Sequence, residues 1–258
     1  MRTLALLACA LALVACGSPT PQASRSVTTS APRFLDYDPH DWTERTPWHY
    51  PVHGVDVSKW QGTIDWPRVR ASGASFAFIK ATEGKDHTDD RFMENWRAAG
   101  AAGVPRGAYH FYYFCSSAEE QANWFIRNVP RERGALPPVL DVEWNHKSKT
   151  CPYRPAPAIV RAEMETFLAM VARHYGQRPL VYVPPDFFRE NDLARMQGVT
   201  FWLRSVAGHP SAVYPGQSWG FWQYTGTGQV PGIAGEADLN AFAGGQTEWR
   251  AWLARHTL

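Results

Sequence analysis

The 258-residue chain holds only four cysteines, and two of them, Cys9 and Cys16, fall in its first sixteen residues. That excludes a small disulfide scaffold. It has no Cys-x-x-Cys and no His-Glu-x-x-His, and its nine histidines are scattered. A structural zinc site is therefore not expected, and neither is any other metal or a cofactor. Charge of either sign is not in surplus: 26 Lys and Arg stand against 24 Asp and Glu. This removes the basic footprint of a nucleic-acid binder, so no nucleic-acid partner is expected. It also removes the class of acidic disordered chains, which are poor in aromatics. The apolar run from Leu4 to Ala15 is shorter than the about 20 residues that a spanning helix needs. No internal repeat is visible.

What the chain does have is aromatic side chains: twelve Trp, ten Tyr and thirteen Phe, within a composition that is 45% hydrophobic. That is enough for a sizeable core. The excess also suits a site that stacks flat ligand faces.

Residues 1–15, with Arg2 before the apolar run, read as a secretory signal. Leu13-Val14-Ala15-Cys16 resembles the lipobox of bacterial lipoproteins, in which the cysteine becomes the lipidated first residue of the mature chain. The expected domains are a lipoprotein signal peptide at 1–15, a lipidated Cys16 with a flexible tether and N-terminal arm at 16–50, and one globular domain at 51–258. Residues 17–32 are rich in Ser, Thr, Pro and Ala, a composition that cannot build a core. Trp42, Trp48 and Tyr50 give the later part something to pack with. The implied location is the cell envelope, exported and anchored to a bacterial membrane by lipid. Outside the cytoplasm the remaining pair, Cys115 and Cys151, is expected to form a disulfide; two buried thiols are the alternative.

From residue 51 onward, β-rich runs recur at 52–57, 76–80, 106–111, 138–142, 180–183, 199–203, 220–224 and 237–241. Helical patterns lie between the earlier ones. Ser117-Ala118-Glu119-Glu120 is a capping box. Val160, Met164, Phe167, Leu168, Val171 and Tyr175 form one apolar helical face. Alternating strands and helices make an α/β domain with a mostly parallel, covered sheet. About eight strands in this length point to a closed, TIM-like β/α barrel, in which chemistry sits at the C-terminal ends of the strands. The scarcity of helical patterns late in the chain predicts an irregular last part.

Acidic residues stand at several of those ends: Asp56, the pair Asp141 and Glu143, and Asp238. Side chains at i and i+2 of a strand share a face, so Asp141 and Glu143 point the same way, Cα atoms roughly 6.6 Å apart at about 3.3 Å per residue. Two carboxylates on one apolar strand are costly unless paired or used. Mutual repulsion and burial raise a pKa, as a general acid near neutral pH requires. Such pairs cleave glycosidic bonds. A solvent-facing strand end whose acids pair with arginine fits the same spacing.

The ordered set of motifs adds a resemblance. Gly54-Val55-Asp56-Val57-Ser58-Lys59-Trp60-Gln61-Gly62 with Ile64-Asp65-Trp66 resembles the opening of the glycoside hydrolase family 25 lysozymes, the Chalaropsis-type N-acetylmuramidases. Phe76 to Gly84, Gly107-Ala108-Tyr109-His110-Phe111, Leu140-Asp141-Val142-Glu143, Trp222-Gln223-Tyr224 and Asp238-Leu239-Asn240 follow in the family's order, over residues 52 to 242. The resemblance implies one irregular barrel of about eight strands and about five helices. It implies hydrolysis of the β-1,4 bond between N-acetylmuramic acid and N-acetylglucosamine in peptidoglycan. It assigns Glu143 as the general acid and Asp141, Asp56 and Asp238 as the supporting acids. The partners implied are peptidoglycan glycan strands and, through the lipid, a membrane; the chain is expected to act as a monomer.

Tyr109, Tyr182 and Trp222, at or near strand ends, are candidates to stack on sugars, and Gln223 is a candidate to hydrogen-bond them. Barrel packing is the competing role for each. Lys80 and Glu83 are placed to form an ion pair beside the groove, and His110 reads as a hydrogen-bonded core histidine. Two departures are visible: residues 201–206 read Phe-Trp-Leu-Arg-Ser-Val where many family members carry Trp-x-Ala-x-Tyr, which leaves specificity near that strand open, and residues 145–157, after the strand of Asp141, are basic and Pro-rich. A chitinase-like hydrolase, a non-catalytic glycan-binding lipoprotein and a structural envelope anchor are the competing functions.

Overall fold

The structure is a computed structural model that describes residues 32–43, 45–145 and 148–258. The signal sequence, Cys16 and residues 17–31 of the tether lie outside the described residues.

The described chain runs through β1 (Leu35–Asp36), β2 (His53–Val57), α1 (Trp66–Ala71), β3 (Phe76–Glu83), β4 (His87–Thr88), α2 (Phe92–Ala101), β5 (Arg106–Phe111), α3 (Ala118–Asn128) and β6 (Val139–Asp141). It continues through α4 (Pro157–Tyr175), β7 (Leu180–Val183), α5 (Pro185–Glu190), β8 (Phe201–Arg204), α6 (Pro210–Val213), β9 (Phe221–Gln229), β10 (Ala237–Phe242) and α7 (Gln246–His256). Eight strands close into a barrel in the order β2-β3-β5-β6-β7-β8-β9-β10 and back to β2. The ladders are parallel from β2 to β9. The exception is β10, antiparallel to both β9 and β2. All eight β-rich runs of the sequence are strands. Seven α-helices are present among the described residues rather than about five, because α1, α5 and α6 are turns of four to six residues.

The helices form as their caps and faces dictate. Ser117 accepts from the Glu120 amide and Glu120 reaches back to the Ser117 amide, so the capping box opens α3. The apolar stripe of α4, from Val160 to Tyr175, is buried against the barrel. α7, which no strong pattern announced, closes the end of the barrel where the parallel strands begin. Its Trp249 and Trp252 stack with ring centroids 5.4 Å apart, and Trp249 meets Phe76 at 5.4 Å.

Inward-facing positions alternate along every strand. Phe76 and Phe78 on β3, Tyr182 on β7, Trp202 on β8 and Phe221 on β9 belong to one buried aromatic cluster. Phe78 and Trp202 meet across the interior at 4.6 Å. Gly54 and Gly107 make room for it. A Cβ at Gly54 would stand 2.5 Å from the Phe76 ring, and one at Gly107 2.9 Å from Phe78. Above this aromatic floor the next inward positions carry the acids.

The N-terminal arm packs on the outside. β1 pairs with the far end of β9. Trp42 meets Trp222 edge-on at 5.1 Å, Trp48 stacks on His53 at 5.2 Å, and the Tyr50 hydroxyl lies 2.8 Å from His209 Nε2. No helix among the described residues is long and apolar enough to cross a membrane.

Candidate active site

A cleft of about 330 Å³ opens at the C-terminal mouth of the barrel, and Asp56, Asp141, Glu143 and Asp238 all line it. Four carboxyl groups from three strands and one strand end are thus brought together by period-two alternation on a closed barrel.

Asp56 is 6% exposed. Its Oδ2 accepts from Gln223 Nε2 at 2.9 Å and from Asn240 Nδ2 at 2.8 Å. Each amide is itself oriented. The Tyr182 hydroxyl donates to Gln223 Oε1 at 2.9 Å, and Trp202 Nε1 donates to Asn240 Oδ1 at 2.7 Å. With their oxygens so engaged, both amides turn an N–H toward Asp56. Burial pushes Asp56 up to about 6, and the hydrogen bonds from Asn240, Gln223 and Asp238 limit the rise. Asp238 has fewer such donors. Burial and the charge of Asp56 push it up to about 8.

Asp141, the last residue of β6, is 6% exposed. Its carboxyl is pushed well above the carboxylate range by burial and by Glu143. One of its buried oxygens, Oδ1, has no hydrogen-bond partner. Glu143 lies two residues beyond Asp141. The Val142 amide still bonds to the Tyr182 carbonyl, 3.1 Å away, which carries the ladder past the strand's end. Glu143 is less buried than Asp141. Burial raises its pKa, and the positive charges of Arg204 and Lys80 oppose the rise.

Lys80 stands in the cleft wall as part of a chain of contacts. Its Nζ donates to Glu83 Oε2, the Tyr113 hydroxyl donates to Glu83 Oε1, and Asn145 Nδ2 donates to the Tyr113 oxygen, each at 2.6 Å. Burial would raise Glu83, but the bonds from Lys80 and Tyr113 outweigh it and hold it below the usual carboxylate value. Cys115 and Cys151 are bridged, with Cα atoms 5.8 Å apart. The bridge ties the loop after β5 to the loop after β6.

Tyr109, Tyr182 and Gln223 line the cleft. Gln223 spends its amide on Asp56 and Tyr182, so it positions the acid. Trp222 is corrected: it is fully buried and its ring faces away from the cleft. Its Nε1 donates to the Ser205 carbonyl at 2.7 Å, and the arm's Trp42 and Tyr50 cover it. Adjacent strand residues take opposite faces, so Gln223 and Trp222 cannot both point inward. His110 is a core residue, between Thr82 Oγ1 at 2.7 Å and Gln121 Oε1 at 3.1 Å. Among the described residues no group of three or more His, Cys, Asp or Glu is arranged to hold a metal ion.

Among the residues of the site that the sequence did not single out are Trp202 and Arg204, which line the cleft, and Asn240, which holds Asp56. The signal was available. Asn240 lies two positions after Asp238, and Arg204 two after Trp202, the same spacing that pairs Asp141 with Glu143. The departure at residues 201–206 falls on Arg204.

The sequence profile of Glycosyl hydrolases family 25 matches residues 55–233. The chain is 38% identical over 204 residues to Lysozyme M1 of Streptomyces globisporus, covering 75% of this chain and 68% of that protein. It is 36% identical over 229 residues to the uncharacterized protein YegX of Escherichia coli (strain K12), covering 85% and 80% respectively. A family 25 glycosyl hydrolase from Bacillus anthracis superposes with a TM-score of 0.73 at 35% identity, covering 84% of this chain and 98% of that one.

Proposed function

The chain belongs to glycosyl hydrolase family 25, a glycoside hydrolase of the lysozyme type acting on peptidoglycan, and from that membership we propose a muramidase with Glu143 as its general acid. The bond cleaved is the β-1,4 linkage between N-acetylmuramic acid and N-acetylglucosamine. One observation carries the assignment of roles: the four acids share a cleft but not an environment, so their protons are held unequally.

Near neutral pH, Asp56 is the acid most stabilised as a carboxylate, through its two amide donors. It faces the positive charge that develops on the sugar as the bond breaks. Asp238 keeps its proton and shares it with Asp56. Glu143, raised and more accessible, protonates the leaving glycosidic oxygen. The unpartnered Asp141 Oδ1 receives the N–H of the 2-acetamido group. It thereby holds the acetamido oxygen for attack on C1 as Glu143 releases its proton, the substrate-assisted route. Water then opens the cyclic intermediate, and Glu143 takes its proton back.

The export signal at 1–15 and the lipid on Cys16 are part of the same proposal. The enzyme then works on wall close to its membrane.

The test is to digest purified peptidoglycan with the full-length protein, reduce the products with borohydride and identify the end sugar by mass spectrometry. Reduced muramic acid ends are expected. Reduced glucosamine ends would place the enzyme on the other bond, and an absence of new ends would leave a glycan-binding protein.

A further inference from the structure

Arg204 ends β8 and points into the barrel mouth, where it lines the catalytic cleft. It also lines a second cavity of about 570 Å³ on the outer side. That cavity is walled by Asp38, His40 and Asp41 of the arm and by Thr225 and Thr227 of β9. Arg204 is therefore the partition between the two spaces. The family profile begins at residue 55, so the arm residues that build the second cavity lie outside it.

The other cations of the mouth are engaged. Lys80 is bonded to Glu83 at 2.6 Å and Lys59 to Asp90 at 3.2 Å. The Arg204 side chain makes no hydrogen bond or ion pair with any described residue. Its charge is felt by Glu143, Asp238 and Asp56 without direct contact. A guanidinium on the wall of two cavities, with no protein partner for its donors, can turn them to a ligand in either space. Its planar fork matches a carboxylate, which it binds in two parallel hydrogen bonds. The nearby acids do not cancel this. Asp238, pushed up to about 8, holds its proton near neutral pH, and burial and the neighbouring Glu143 disfavour the charged form of Asp141, so the cleft is less negative than its composition.

We propose that Arg204 is the receptor for a substrate carboxylate, and that the cavity between the arm and β9 takes the substituent bearing it. The proposal rests on the muramidase reading, since muramic acid is the sugar whose lactyl ether carries a carboxyl group. Two sources share that chemistry. In strands stripped of peptide the lactyl carboxylate is free. In intact peptidoglycan that carboxyl is an amide, and the carboxylates are those of the attached peptide.

The experiment compares full-length wild type, Arg204→Gln and Arg204→Lys on three substrates: soluble intact glycan strands with peptides, the same strands stripped by an amidase, and stripped strands with the lactyl carboxyl converted to its methylamide. Binding is read by calorimetry in a Glu143→Gln background, and KM and kcat without it. Losing a bidentate bond to a charged group weakens binding by about 10- to 100-fold. That loss is expected on a carboxylate-bearing substrate and absent, within about twofold, on the methylamide. Loss on intact strands alone assigns the peptide carboxylate. Loss on stripped strands assigns the lactyl group. Lysine restores part of the affinity.

An equal change on all three substrates, or none on any, overturns the proposal. The first would make Arg204 only an electrostatic neighbour of Glu143, visible as a shifted pH profile with KM unchanged. Because binding is measured without turnover, a wild type that releases no muramic acid ends would fail the muramidase reading while leaving the carboxylate question answered.

Discussion

Asp56 and Asp238 stand directly opposite each other as partners in the antiparallel ladder between β2 and β10, and their carboxyl groups share a hydrogen bond. Two carboxylates so placed cannot both be charged at low cost. The surroundings decide which one gives way. Asp56 has the Gln223 and Asn240 amides on one oxygen; Asp238 has no comparable support, so Asp238 keeps the proton.

The pH profile follows. Asp56 is useful when ionised, which sets a rising limb near its value of about 6. The pair is damaged when Asp238 also ionises, which sets a falling limb near about 8. A bell in kcat/KM between those values is expected. A rate still climbing at pH 9 would be inconsistent with it.

Stability at high pH provides a separate check. The folded-state value of Asp238, about 8, lies above its ordinary 3.8. Stability from its proton is therefore full below about 4 and is lost as pH rises through about 8. Asp238→Asn cannot ionise. Its melting temperature should exceed wild type at pH 9 by at least the roughly 2–4 °C that 1 kcal/mol supplies in a domain of this size. At pH 5 the gap should shrink. A gap independent of pH would contradict the assignment.

Trp222 and Gln223 are neighbours with separate tasks. Trp222→Ala removes the ring that Trp42, Tyr50, His209 and Trp219 pack on. It should cost about 3–5 kcal/mol in denaturant unfolding, while kcat/KM of the folded fraction stays within a few-fold. Gln223→Ala should reverse the pattern, with a small stability change and a large loss of kcat. Equal effects of the two on kcat would return Trp222 to the substrate site.

The disulfide closes a separation of 36 residues between Cys115 and Cys151. Replacing both by Ser should cost about 3–4 kcal/mol in the chain-entropy account. Because it also fixes the loop that brings Asn145 to Tyr113, reduction should lower activity below the unfolding transition. Full activity in the reduced, folded protein would show that the loop holds itself.

Much of this was legible in the sequence. Strands came from short apolar runs, and the acids from their place at strand ends, because period two and the C-terminal-end rule are local. What was not legible depended on which strands meet. Asn240 and Gln223 acquire meaning only when β9, β10 and β2 are adjacent. Trp222 was misplaced because an aromatic residue near a strand end says nothing about which face it takes; the phase is set by Gln223 and by the arm that covers the outside. The short helices α1, α5 and α6 are too brief for periodicity to announce.

The most direct test of the central claim, that Glu143 donates the proton to the leaving oxygen, varies the leaving group. Full-length wild type and Glu143→Gln would be compared on peptidoglycan and on an aryl β-glycoside of the disaccharide, whose phenolate leaves without a proton. On peptidoglycan the variant should lose about 10²- to 10⁴-fold in kcat; on the aryl glycoside it should stay within about tenfold of wild type in the bond-breaking step. A peptidoglycan rate within tenfold of wild type, or the same loss on both substrates, would contradict the claim.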